Sequence, residues 1–354
     1  MSELTSSPMR HSSAGVLDLP GVTEESWQEE AYRRGWGDGL PLVAPTPARV
    51  AAALAALDGV DLELGPLPPS GLVPTRESLA ANAVMAGCRP ADLPVVLAAV
   101  RALQAPEYNL HGVLATTHPC APMVIVSGPV RGELGINSGT NCLGQGTRAN
   151  AVIGRAVQLV TTHVGGARPG VMDRATQGGP AKYSFCFGEN EEESPFPPFS
   201  VRRGFAPGES VVTVAATEGP HNVNDHGGTT AEDLLLTIAG TMAQPGSNNV
   251  YVKGPHFLVL GPEHAATLAR DGWTAEAVRD ALWERARIPV ERVSEANQRQ
   301  FEDWGVVPDG DAYAVSTGPE MLHVLVAGGA GKHSAWIPSF GATAAVSRAV
   351  PSRL

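Results

Sequence analysis

The sequence predicts an α/β fold with mainly parallel sheets covered by helices, in two subdomains for which an internal duplication is an open reading. Three observations lead there. Short apolar runs of strand length alternate with stretches of helical periodicity. Glycine and proline, 40 and 30 of 354 residues, cut these segments apart and leave long connecting loops. Finally, PMVIVSGP, HFLVLGPEH and HVLVAGGAG each run an apolar strand into a glycine turn, a faint internal similarity.

In chain order, residues 1–30 read as a disordered N-terminal tail with a Ser-rich start. Thr46-Pro47 supplies a cap and a first-turn proline for a helix over 50–57. Helices follow at 76–86, closed by Gly87, and at 90–103. Residues 111–116 and 122–127 are apolar runs bounded by Pro and Gly, and predict buried strands. The polar loop GINSGTNCLGQG then opens a helix near Thr147. Residues 165–199 predict a long irregular segment, of the kind that is functional or joins domains. The boundary is placed at its end, giving a first α/β domain over 31–200, with the Gly-rich loop, and a second over 201–354. In the second, strands are predicted at 211–216, 256–260 and 323–327, and helices at 231–242 and 274–287.

Composition excludes several function classes. A net charge of −11 without a Lys/Arg cluster lacks the electrostatic footprint of a nucleic-acid partner. No apolar run approaches the roughly 20 residues of a membrane-spanning helix, and the N-terminus lacks a secretory h-region, so the expected location is cytoplasmic. Cys88, Cys120, Cys142 and Cys186 form no CxxC pair and are expected as reduced thiols.

Four constellations carry candidate chemistry. In Thr117-His118-Pro119-Cys120, at the exit of a predicted strand, a nearby imidazole would make Cys120 a thiolate nucleophile, with His118 beside it; a buried, inert thiol is the alternative. In GINSGTNCLGQGTRAN, Asn137 and Ser138 lie in the loop and Arg148 in the first helical turn, a place for a carboxylate or phosphate; Gln145 and Gly146 replace the lysine of a Walker loop. In EGPHNVNDHGG, His221 is a candidate acid/base, and Glu218, His221, Asp225 and His226 are an alternative divalent-metal set whose spacing matches no standard zinc signature. In AGGAGKHSAWIPSFG, Lys332, His333 and Ser334 combine a fixed charge, a titratable ring and a hydroxyl for an anionic substrate. An acidic run, Glu189 to Glu193, offers Glu189 or Glu192 as a further acid/base, or is a solvated face.

The blocks GDGLPLVAPTP, HPCAPMVIVSGP, GINSG, GGARPG, GENEE, EGPHNVNDH, GPEHA and AGGAGKHSAWIPSFG together resemble a bacterial family that accompanies small proteins with a selenocysteine-Gly-Ser-Cys or Cys-Gly-Ser-Cys (UGSC-type) motif. The resemblance runs from Trp36 to the end. It implies thiol or selenol chemistry for the pair of proteins and one site lined by these blocks, and it carries no reaction with it.

The leading expectation is an enzyme acting on a small anionic metabolite through Cys120, His118 and His221, by sulfur transfer, carbon–heteroatom cleavage or thiol-linked redox. Two alternatives stay open: a metal-dependent lyase or hydrolase using Glu218, His221, Asp225 and His226, and a non-catalytic subunit that completes the site of a thiol redox partner. No cofactor is assigned beyond the divalent metal of the first alternative. Expected partners are the anionic substrate and a small UGSC-type protein, with no nucleic acid or membrane, and homo-oligomerisation is left open. Cys120, Arg148, His221 and His333 are expected to converge in one cleft, because parallel sheets bring strand exits to the same edge.

Overall fold

The computed structural model describes residues 15–351. Among the described residues ten strands form three sheets: β1 (Ala121–Ser127), β2 (Cys186–Gly188), β3 (Val211–Thr217), β4 (His221–Asn224), β5 (His256–Leu260), β6 (Arg287–Pro289), β7 (Ala312–Ala314), β8 (Leu322–Val326), β9 (His333–Ile337) and β10 (Val346–Ala349). The first sheet has the order β10-β3-β1-β2 and the second β4-β9-β5-β8, while β6 and β7 pair apart.

The fold mixes helices and sheets as the sequence predicts, but the sheets are mixed rather than mainly parallel. Only β1/β2 and β5/β8 run parallel among the described pairs; β1/β3, β3/β10, β4/β9, β5/β9 and β6/β7 are antiparallel. Connection length explains this. A parallel return needs a crossover of a dozen or more residues, and the helices Arg148–His163 and Ala275–Arg285 provide it between β1 and β2 and between β5 and β8. From β8 to β9 the chain has only residues 327–332, so β9 must come back antiparallel.

Alternation along the strands sets the layers. Val124 and Val126 of β1 join one apolar core while Met123 and Ile125 join another. Leu258 and Leu260 of β5 likewise point away from Phe257 and Val259. The shared core holds Met123, Ile125, Phe187 and Ala215 from the first sheet with Phe257, Val259, Leu325 and Ile337 from the second. The sheets thus pack face to face, and helices cover only their outer faces. Helices Leu93–Leu103 and Arg148–His163 lie on the first, and Ala231–Met242 and Ala275–Arg285 on the second. Because both faces of β1, β3 and β5 meet apolar layers, these strands read in sequence as unbroken apolar runs.

The two large sheets repeat one arrangement. Each has two antiparallel contacts and then a parallel one in the same order. In the first, Val214 stands between Val124 and Val346; in the second, Trp336 holds the same place between Leu258 and His221. The edge strand that opens each order, β10 or β4, directly follows a strand of the other sheet. After β3 the chain crosses to place β4 in the second sheet, and after β9 it crosses back to place β10 in the first. At the crossing Thr217 bridges Ser339, Glu218 N–H donates to Pro338 O at 2.9 Å, and Phe340 N–H donates to Ala216 O at 3.0 Å.

The boundary expected near residue 200 is therefore corrected, since β3 and β10 lie beyond it and complete the first sheet. The expected tail is corrected in part. Residues 1–14 lie outside the described residues, whereas Trp27 opens a helix, is buried, and donates to Leu42 O at 3.1 Å. The strand predicted at 111–116 is a helix, Leu110–Ala115. Asn109, with φ of 54°, caps it by accepting from Gly112 N–H at 3.2 Å. A six-residue apolar run is compatible with either element, and the asparagine cap decides it.

No single helix among the described residues is long and apolar enough to cross a membrane. The bent pair over Arg76–Ala86 and Pro90–Leu103 has the composition but packs into the first core.

Candidate functional site

The motif blocks meet in three separate groups. The first lies where the chain crosses between sheets. THPC enters β1 rather than leaving a strand, since the segment before it is helical. That entry stands beside the exit of β3, because β1 and β3 are antiparallel with Ala121 opposite Thr217. His118 and Glu218 are brought together there, Nε2 to Oε1, at 2.9 Å. On the other side of the carboxylate, His221 Nε2 lies 4.0 Å from Oε2, too far for a formed hydrogen bond but close enough to act by charge. Gln244 donates to His221 Nδ1 at 3.2 Å, and the His221 ring leans on Trp336 at 5.4 Å between centroids. Phe340 stacks on His118 at 5.5 Å and 27°.

Burial by itself would raise the pKa of Glu218, but the hydrogen bond from His118 and the nearby His221 outweigh it and hold the carboxyl at about 2. Glu218 is thus a fixed carboxylate between two imidazoles. It accepts from His118 Nε2–H, which leaves the ring's other nitrogen, Nδ1, outside the pair. That atom is buried and has no hydrogen-bond partner among the described residues. The group sits at a rim: the side chains of His118, Glu218 and His221 are 12%, 20% and 35% exposed. Thr176 docks the 165–184 segment against it by donating from its backbone N–H to Thr117 O at 2.9 Å.

Cys120 does not share this rim. It is buried, its thiol faces Val113 O at 3.8 Å, and burial pushes its pKa up to about 12. The expectation of a Cys120 thiolate is corrected by these surroundings, because desolvation outweighs the Lys182 charge that acts the other way. Burial likewise raises Cys142 to about 11 and Cys186 to about 12, and drives Cys88 above the usual thiol range; all four cysteines are free.

The second group joins GINSG, GENEE and AGGAG at the far end of β1, β2 and β8. Gly328 N–H donates to Ser138 O at 2.8 Å, Asn190 N–H donates to Val326 O at 2.8 Å, and a Cβ at Gly329 would fall 2.0 Å from Thr140 Oγ1. Asn137 is spent on its own loop, accepting from Gly139 N–H and donating to Thr140 O, both at 2.9 Å. Glu189 is buried with Ser127 Oγ at 2.8 Å and Phe199 N at 2.7 Å; burial pushes its carboxyl up to about 7 despite these donors. Glu192 pairs with Arg131 at 3.0 Å. This group ties loops together.

The third group lies beyond β4 and at the start of β9. His226 and His333 meet with their Nε2 atoms 3.2 Å apart, and Lys332 Nζ donates to His226 O at 3.1 Å. Ser334, expected among the substrate contacts, is buried: its hydroxyl lies 2.8 Å from His264 Nδ1 and accepts from Gly261 N–H at 3.2 Å.

One cleft joining Cys120, Arg148, His221 and His333 is not what forms. Arg148 lies in the outer helix layer, exposed, and donates to Gly87 O at 2.8 Å. His221 faces the helix side of β4, as Val223 and its partner Trp336 do, while His333 faces the other side. The alternative metal set divides too. Glu218 and His221 belong to the first group, Asp225 and His226 to the third, and no three His, Cys, Asp or Glu among the described residues are placed to share a metal. The physical reason is the antiparallel pairing, which sends the exits of β3 and β4 to opposite ends of their sheets. Reasoning from sequence missed Gln244, Asn222 and His264, which lie outside the glycine-rich blocks or in elements not predicted; Phe340 carried a signal, within the closing SFG. Compared with models of known families, with curated proteins and with solved structures, the chain matches none.

Proposed function

We propose that this chain is an enzyme that moves a proton to or from a small anionic metabolite, with His118 as the acid/base, Glu218 holding its ring, and His221 on the far side of the carboxylate. The observation that carries this reading is the unpartnered Nδ1 of His118, whose ring is held through Nε2 by a carboxylate kept ionised. A carboxylate that orients one imidazole nitrogen leaves the other as a base of fixed direction. A bare, desolvated nitrogen costs stability unless a ligand atom or a water meets it.

The anionic substrate class draws its support from the docked segment over residues 165–184. It carries Arg168, Arg174 and Lys182 against one acid, Asp173, in a chain of net charge −11. Lys182 and Asp173 pair at 2.7 Å, leaving Arg168 and Arg174 as the segment's excess charge. The thiol-linked readings gain no support from four cysteines with raised pKa values. We also infer that the two matched sheets, each with a covering helix before the strand that opens its parallel pair, β1 or β5, and a crossover helix after it, descend from one duplicated unit.

The test is incubation of the purified protein with a cell metabolite extract, followed by mass spectrometry of what is consumed and formed. Wild type is expected to convert at least one anionic metabolite that H118Q and E218Q leave unchanged. Equal conversion by H118Q would overturn the assignment.

A further inference from the structure

The His226 and His333 pair lies apart from the rim just described and has a geometry of its own. Both rings are exposed, with centroids 5.0 Å apart and planes at 79°. Their Nε2 atoms face each other at 3.2 Å. His333 Nδ1 lies 3.0 Å from Asn222 Oδ1, so the asparagine carbonyl accepts from Nδ1–H and holds the ring with Nε2 toward His226.

Two tetrahedral ligands at Zn–N distances of about 2.0–2.1 Å stand about 3.3–3.4 Å apart, and the observed spacing is close to that bite. Asn222 supplies what histidine ligands ordinarily have, a hydrogen-bond acceptor on the far nitrogen that sets tautomer and ring direction. The 225–228 turn that carries His226 is held as well: the Asp225 carboxylate accepts from Gly228 N–H and from Thr237 Oγ, both at 2.6 Å, and Lys332 grips His226 O. Asp225 is thereby committed to the turn. The Lys332 ammonium, beside the pair, opposes a bare cation and favours an anionic oxygen as co-ligand.

We propose that His226 and His333 form a two-imidazole site for a divalent transition metal of the zinc class, with the remaining positions taken by water or an anionic oxygen ligand. The pair is distinct from the Glu218, His221, Asp225 and His226 set, which does not assemble.

The test titrates full-length protein, stripped of metal by chelation, with Zn2+ by calorimetry and with Co2+ by visible absorption. Wild type is expected to take up one equivalent. H226A and H333A are each expected to bind at least tenfold more weakly, and N222A about 10- to 100-fold more weakly, as removal of an orienting partner does. E218Q is expected to bind as wild type does, and thermal melts check that the exposed substitutions leave the fold intact. No saturable uptake by wild type, or uptake undiminished in both histidine variants, would overturn the site, as would loss of binding in E218Q with H226A and H333A unaffected.

Discussion

Gly341 stands directly against Val252: a Cβ on Gly341 would lie 2.1 Å from Val252 Cγ1 and 2.2 Å from Val252 O. The carbonyl is backbone and has no rotamer to escape into, so any side chain at 341 must push the crossing strand away. The residue before it, Phe340, is the one that stacks on His118. Gly341 thus links close packing at the sheet crossing to the candidate acid/base.

Gly341→Ala is accordingly expected to lower stability by about 2–3 kcal/mol, at the upper end of ordinary overpacking. It should also lower any turnover that depends on His118. Denaturant unfolding at matched pH measures the first effect. A variant as stable as wild type would show that the crossing is looser than described.

Glu189 gives a pH-dependent prediction whose sign follows from burial. In the folded chain its carboxyl holds its proton up to about 7, whereas in the unfolded chain it releases it near the ordinary 4.5. Between those values the native state binds more protons, so stability falls as pH rises through the window and levels off above it. Glu189→Gln keeps the shape and removes the titration. The stability of E189Q relative to wild type should therefore increase from pH 4.5 to 7, by at most about 3 kcal/mol. Unfolding curves across that range check it; a constant difference would contradict it.

The cysteines should be quiet in the native protein. With Cys120, Cys142 and Cys186 buried and their thiols pushed to about 11 or 12, alkylation at neutral pH is expected to be slow for each until denaturant is added. Cys120→Ala is expected to keep any activity that H118Q removes. Rapid labelling of Cys120 in folded protein, followed by mass mapping, would restore the thiol reading.

Strands buried on both faces were legible in the sequence because their apolar runs are continuous: the predictions over 122–127, 211–216 and 256–260 coincide with β1, β3 and β5 to within a residue. Short or edge strands were not. β4, HNVN, is exposed at Asn222 and Asn224, and β10 is exposed at Arg348 and Ala349, so neither carries an apolar signature. Without β9 and β10 the antiparallel pairing cannot be inferred, and with it goes the geometry of the site. Glycine-rich blocks did mark where loops approach one another, as Gly329 against Thr140 illustrates. Which block meets which is decided by strand direction. His118 and Glu218, 100 residues apart, were both candidates, but their contact depended on a pairing that local patterns do not record.

The most direct test of the central claim is a double-mutant cycle on kcat/KM for a metabolite found to be converted in the extract experiment, using wild type, H118Q, E218Q and H118Q/E218Q. If the carboxylate acts through the imidazole it holds, the two losses are not additive, and the double variant is no slower than H118Q alone. If each substitution lowers kcat/KM by its own factor and the double variant shows their product, the two residues act independently and the assignment of Glu218 to His118 is contradicted.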